Sequence, residues 1–247
     1  MAEPSATALA FRPDPLASYK LIYLARRNPS LTPDEFPQAW REHSQLASTF
    51  GPSLGRHFLG VRQCVKDIEA SPGASFENDY DGSSILAMKS WEDLMAARYH
   101  PHSLDELAKD EVRVFAGAVD DWTMAVEEHV LRDGEAEGYV LLSFLTPQDG
   151  AAPFTGTHPA KLAGLDTDAL SIQRLVWNRV VDPARSYAFT AIIEAWFAAR
   201  DDALRAVRIP SFVEAMEQPA AFSPDDGVRL FARINHAKTM TADGSTC

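Results

Sequence analysis

The chain has 247 residues, of which 46% are hydrophobic and 23% are charged, and its formal net charge is −12 at pH 7. This length suits one large domain or two of about 120 residues. The acidic balance argues against nucleic-acid and anionic-membrane partners, because both select basic surfaces. The two cysteines form no CxxC motif, and neither a signal-peptide pattern nor a membrane-spanning apolar run is found. We therefore expect a cytoplasmic protein.

Residues 1–51 predict a flexible arm, a strand and a long helix. Residues 1–17 are rich in Ala and Pro, which is typical of a loose arm, and residues 19–25 form an apolar run that predicts a strand. Residues 31–51 predict an amphipathic helix that begins with the capping box Thr32-x-x-Glu35. One face of that helix carries Phe36, Trp40, His43, Ala47 and Phe50.

The remaining elements of the first half predict a ferredoxin-like unit. Alternating residues predict strands at 56–66 and 84–89, and Ser90 caps a helix over 91–99. A fourth strand is predicted over 112–126 after a short helix. The resulting order β-α-β-β-α-β is the split βαβ unit.

The second half of the sequence repeats this order in a degenerate form. Residues 21–29 match residues 139–147, and residues 110–115 match residues 226–231. His43 matches His158. We therefore predict an α+β fold of two ferredoxin-like halves, residues 18–130 and 137–240, fused into one dimeric α/β-barrel-type pseudo-dimer. Such a chain would be a monomer or a homodimer.

The predicted first helix resembles that of the EthD family of dimeric α/β-barrel proteins. The resemblance rests on Leu31, Thr32, Phe36, Trp40 and His43, and on LAKDEVRVF at 107–115, which resembles the Asp-rich lead into the family's last strand. It implies the fold more strongly than the chemistry. Superfamily members include aromatic polyketide dehydratases and decarboxylases, lactone isomerases and cofactor-independent monooxygenases.

The sequence contains no motif that predicts a metal or an organic cofactor. No P-loop, GxGxxG or HExxH is present, and His100 and His102 alone make a weak metal motif. We therefore expect a site with neither metal nor cofactor.

His43 is the principal catalytic candidate, because an imidazole on the apolar face of a helix can exchange protons at neutral pH. On the residue pattern alone, a core histidine bonded to a backbone carbonyl is the simpler interpretation; the resemblance to EthD proteins favours a catalytic one.

Tyr23, Tyr99 and His100 would supply an oxyanion donor or a general acid, although Tyr99 and His100 also fit a polar helix end. Further candidates for substrate contact are Phe36, Trp40, Phe50, His57, Trp91 and His158. His129 and His236 are predicted to be surface residues at strand ends.

These observations predict a cofactor-independent lyase that eliminates water from a hydrophobic, aromatic, oxygenated small molecule. His43 would act as the general base, with a tyrosine or a second histidine as the acid. Two alternatives stay open: a cofactor-free monooxygenase or isomerase of a similar substrate, and a non-catalytic binder of a hydrophobic metabolite.

Overall fold

Eight antiparallel strands close into one barrel in the computed structural model, which describes residues 14, 18–70, 72–148, 158–217, 222–223 and 226–239. The strands are β1 Ser18–Ala25, β2 Phe58–Lys66, β3 Gly82–Met88, β4 Thr123–Arg132, β5 Tyr139–Leu145, β6 Arg174–Asp182, β7 Ala191–Phe197 and β8 Val228–Thr239. The α-helices are α1 Phe36–Thr49, α2 Pro52–Gly55, α3 Trp91–Arg98, α4 Ala108–Val114, α5 Ala160–Ala163, α6 Arg200–Ala206 and α7 Pro210–Glu217. A π-helical turn spans Ser103–Leu107, and 3₁₀ turns span Ala74–Phe76 and Val119–Trp122.

The barrel consists of two four-stranded groups that meet edge to edge. The first half orders its strands β4-β1-β3-β2, and the second half orders them β8-β5-β7-β6. Pairing of β2 with β8 and of β4 with β6 joins the halves. The fold is therefore α+β, as predicted, and no sheet edge is left unpaired among the described strands.

The structure confirms the predicted elements around the first helix. The capping box forms, because the Thr32 N–H donates to Glu35 Oε2 (2.8 Å) and the Glu35 N–H donates to Thr32 Oγ1 (3.3 Å). These bonds close a turn ahead of α1, but the helix itself begins at Phe36, later than predicted, and its N-cap residue Glu35 makes no side-chain capping bond. Gly51, with a φ of 62°, follows the end of the helix.

The prediction of a strand over 112–126 was wrong. Residues Ala108–Val114 form α4, and the fourth strand begins only at Thr123. Asp110 and Glu111 lie in the first turn of α4 and Arg113 lies in its last turn, an arrangement that suits the helix dipole. The match of 110–115 to 226–231 therefore pairs a helix with the start of a strand. The predicted arm, residues 1–17, lies outside the described residues apart from Asp14.

Side chains of β1 alternate between the barrel interior and the helices. Ile22 and Leu24 pack inside the barrel, whereas Leu21 and Tyr23 face the helices of the first half. No helix in the described part of the chain is long and apolar enough to cross a membrane.

A buried ion pair crosses the barrel interior. Lys20 Nζ lies 2.6 Å from Glu194 Oε1 and 3.0 Å from a carboxylate oxygen of Glu128. Glu194 is 2% exposed and also accepts hydrogen bonds from Asn178 and Trp196. This pair links β1 of the first half to β7 of the second.

We expect Lys20→Met to lower the free energy of unfolding by about 3 kcal/mol, because it leaves the buried carboxylate of Glu194 without its cation, whereas Glu128 keeps its pair with Arg174. Urea denaturation followed by circular dichroism measures this loss. Lys161→Met is the matched control: Lys161 pairs with Glu214 at 2.5 Å on an exposed surface, and its loss should cost under about 1 kcal/mol. Equal effects of the two substitutions would contradict the structural role of the Lys20 pair.

Candidate functional site

A cavity of about 500 Å³ lies between the sheet of the first half and helices α1 and α4. This volume falls in the range of small-molecule sites, about 300–1,000 Å³. Most of its wall is apolar, and the lining residues Ser48, Leu104 and Ala118 are exposed to solvent. The apolar wall includes Leu21, Leu54, Phe58, Val61, Leu86 and Leu107.

His43 lines this cavity from α1 and is held by a carboxylate from α4. Its Nδ1 lies 2.9 Å from Asp110 Oδ2, and 12% of its side chain is exposed. The ring of Phe115 packs edge-on against the imidazole at 5.6 Å between centroids. Because an ionised carboxylate only accepts hydrogen bonds, the proton of a neutral ring lies on Nδ1. The other nitrogen, Nε2, is then a free base.

Asp110 is itself held in place by an arginine that also pairs with a carboxylate on α1. Arg113 donates to both carboxylate oxygens of Asp110, at 2.9 and 3.1 Å, and lies 3.1 Å from Glu42. Burial opposes the charge of Asp110, yet Arg113 and His43 together hold the pKa of its carboxyl below the usual range. Glu42, Arg113, Asp110 and His43 therefore form one connected network.

Burial lowers the pKa of His43 from its ordinary value of 6.5, and Asp110 opposes that shift by favouring the protonated ring. The imidazole is therefore neutral, and able to accept a proton, at neutral pH. The sequence pattern alone favoured a core histidine bonded to a backbone carbonyl; the partner of Nδ1 is instead a carboxylate.

Two further ionisable groups lie in the same cavity. Tyr23 projects from β1, and burial raises the pKa of its phenol well above 10.0, so the phenol stays a proton donor. Glu111 projects from α4, and its Oε2 accepts the N–H of Val119 at 2.9 Å. Burial first, and the nearby Asp120 second, raise the pKa of the Glu111 carboxyl.

The second half contributes to this cavity through β8. A bulge in the β2–β8 ladder shifts the pairing from Gln63–His236 to Cys64–Ile234, which leaves Asn235 as the extra residue. Asn235 donates to the Pro37 carbonyl at 2.9 Å, so it faces α1. His236 and Lys238 line the cavity. The prediction that His236 is a surface residue was therefore wrong, because the bulge turns it inward.

Gln63 lines the cavity and is held there by two hydrogen bonds of its side-chain amide. Its Nε2 donates to the Trp40 carbonyl (3.1 Å) and to Ser44 Oγ (2.6 Å), which fixes the orientation of the amide because a carbonyl only accepts. Its Oε1 is buried and has no partner among the described residues.

Most of the aromatic residues predicted to contact substrate belong to the core instead. Phe36 and Trp40 are at most 1% exposed and stack on each other at 5.1 Å. Phe50 stacks on His102, and Trp91 packs edge-on against Tyr19. None of these predicted contact residues lines the cavity, because their rings pack against other aromatic side chains.

The structure also separates three other candidates from His43. Tyr99 is 53% exposed, and His100 lies against His102 at 5.2 Å between ring centroids. His57 pairs with Asp93 at 2.7 Å. All three lie outside the cavity wall.

The corresponding space in the second half is filled by aromatic side chains. They are Trp177, Phe197, Phe212, Phe222 and Phe231. His158 lies in that half and does not reach the cavity. In the described part of the chain, no group of three or more His, Cys, Asp or Glu residues could hold a metal ion.

The comparisons agree with the family resemblance and with the fold. Residues 28–118 match the EthD domain family, and this range contains His43, Asp110 and Glu111. No curated protein matches the chain. The described architecture is that of a dimeric α/β barrel.

Two solved structures have this fold. A protein from Fusobacterium nucleatum subsp. nucleatum named "Putative monooxygenase" has a TM-score of 0.58 at 6% identity, covering 90% of this chain and 94% of its own. An anthrone oxidase-like protein has a TM-score of 0.53 at 11% identity, covering 90% and 93%. At these identities the likeness establishes the fold alone.

We expect the pKa of His43 to lie below 6.5 and to fall further in Asp110→Asn, since that variant lacks the charge that favours the protonated ring. The stability that depends on a neutral His43 is then present above pH 6.5 and is lost as the pH falls through the folded pKa. NMR titration of the imidazole Cε1–H measures both midpoints. A wild-type midpoint above 6.5, or no change in the variant, would contradict this assignment.

Proposed function

We propose that the protein is a cofactor-independent enzyme that removes a proton from a hydrophobic, aromatic, oxygenated small molecule. The observation that carries this proposal is the His43–Asp110 pair, whose 2.9 Å bond leaves the imidazole Nε2 as a base in an apolar cavity of about 500 Å³. Three features of the cavity agree with it: a persistent phenol donor, a carboxyl with a raised pKa and largely apolar walls.

The preferred reaction is the elimination of water. His43 takes a proton from a carbon next to a ring carbonyl, and the Tyr23 phenol donates a hydrogen bond to the enolate oxygen that develops. Glu111 supplies the proton with which the β-hydroxyl leaves as water, so that a conjugated double bond forms. Protonated His43 and ionised Glu111 then return to their starting states by exchange with solvent. Glu111 takes the role for which His100 was predicted.

A cofactor-free monooxygenase is the second candidate, and the names of the two structural neighbours favour it. The same carbanion would react with O₂ in place of expelling hydroxide. With anthrone as the substrate, the balance is anthrone plus O₂ giving anthraquinone plus water.

The exchange of the acidic C–H protons of anthrone into D₂O, followed under argon by NMR, tests the step that both reactions share. We expect His43→Ala to slow enzyme-catalysed exchange by about 10²- to 10⁴-fold, because the base is removed. His57→Ala is the matched control, since His57 has a similar bond to Asp93 outside the cavity. Unchanged exchange by folded His43→Ala would refute the base, and binding without exchange would indicate a binding protein.

The pH profile of the same exchange separates the base from the phenol. The rate should rise as the pH increases through a pKa below 6.5, and it should not decline before about pH 10 because burial keeps the Tyr23 phenol protonated. Tyr23→Phe should lower the plateau about 10²-fold by removing the oxyanion donor. A decline near neutral pH that disappears in Tyr23→Phe would contradict the assigned role of the phenol.

An oxygen electrode distinguishes the two reaction classes. Proton exchange without O₂ uptake above the autoxidation of anthrone supports the lyase. Uptake that requires His43 and yields anthraquinone supports the monooxygenase.

A further inference from the structure

The end of the cavity formed by β8 carries positive charge without a matching carboxylate. Lys238 Nζ lies 2.5 Å from Ser48 Oγ and makes no ion pair with any described residue. Arg41, about two turns before Ser48 on α1, lies outside the cavity wall and donates to Gln38 and Asn235, which are both neutral. In a chain with a net charge of −12, a lysine in a cavity wall without a carboxylate partner is unusual.

The ammonium group of Lys238 has more N–H donors than its hydrogen bond to Ser48 uses. An ammonium carries three N–H donors, and Ser48 accounts for one of them. Ser48 is held in turn, because its hydroxyl donates to the Ser44 carbonyl at 2.9 Å. Burial alone lowers the pKa of Lys238, so no neighbouring carboxylate offsets its loss of solvent.

His236 lies two residues away on β8 and faces the same space. Burial, followed by the charges of Lys238 and Arg41, lowers the pKa of His236. The ring is therefore neutral at pH 7 and offers one N–H donor beside the ammonium. Glu111 and Asp120 line the cavity as well, but Asp120 is paired with Arg98 at 3.0 Å. Within the ranges that the structure describes, Lys238 is therefore the cation of the cavity wall without a carboxylate partner.

We propose that Lys238 and His236 bind a carboxylate carried by the aromatic substrate, so that the substrate class is an arene carboxylate. This inference rests on the proposed function, since it names the substrate of the same cavity. A single ammonium and a neutral imidazole suit a monoanion; a phosphate dianion would require more cations. The carboxylate would orient the substrate with its body against the apolar wall and its reacting carbon near His43.

Isothermal titration calorimetry with 2-naphthoate and its neutral isostere 2-naphthamide tests the inference on the full chain. The wild-type protein should bind 2-naphthoate about tenfold more tightly than 2-naphthamide, because one charge-assisted contact distinguishes the two. Lys238→Gln keeps a polar side chain, shorter by one bond, but removes its charge, so it should bring the ratio of the two affinities to about one. Lys238→Arg should retain the preference.

Lys161→Gln is the matched control, because Lys161 is paired with Glu214 in the second half, far from β8 in the chain. It should retain the full preference for the carboxylate. A wild-type protein that binds both probes equally, or binds neither at millimolar concentration, would overturn the inference. A preference for 2-naphthoate that survives Lys238→Gln would also overturn it. The same holds if Lys238→Gln unfolds at the wild-type temperature but loses affinity for both probes equally.

The two proposals fail in different measurements. If His43 is not the base, anthrone exchange survives His43→Ala, yet the ratio of 2-naphthoate to 2-naphthamide affinity still depends on Lys238. If the carboxylate site is wrong, the ratio of 2-naphthoate to 2-naphthamide affinity is near one. Anthrone carries no carboxylate, so its proton exchange still requires His43.

Discussion

The pairing of β2 with β8 is the interaction on which the candidate site depends. It joins the two halves of the barrel and brings His236 and Lys238 of the second half to a cavity otherwise built by the first. The bulge at Asn235 matters because a regular ladder would place neighbouring residues on opposite faces of the sheet. The site is thus a product of barrel closure.

The two halves share one strand order but use the space beneath their helices differently. In the first half, the His43–Asp110 bond joins α1 to α4, and a cavity remains between these helices and the sheet. In the second half, aromatic side chains such as Trp177 and Phe212 occupy that space. Filling a cavity with aromatic rings adds buried apolar area, which stabilises the fold. One half therefore serves stability while the other keeps room for a ligand.

Local patterns predicted the parts of the molecule that local forces decide. The capping box of Thr32 and Glu35, the strand 19–25 and the inward position of His43 all follow from spacing. The partner of His43 did not, because Asp110 lies 67 residues away, in a segment that was expected to lead into a strand. Valines at 112 and 114 suggested that strand, whereas the spacing of Asp110 and Arg113 (i, i+3) fits the helix. The bulge that turns His236 inward leaves no signal in the sequence.

The most direct test of the account is whether His43 and Asp110 act as one unit, measured as anthrone proton exchange by single and double variants. The account predicts that Asp110→Asn slows exchange, that His43→Ala slows it more, and that the double variant is no slower than His43→Ala alone, because the carboxylate acts only through the imidazole. Asp93→Asn, which alters the partner of His57, should leave the rate unchanged. Effects that multiply in the double variant, or a wild-type rate in Asp110→Asn, would contradict it.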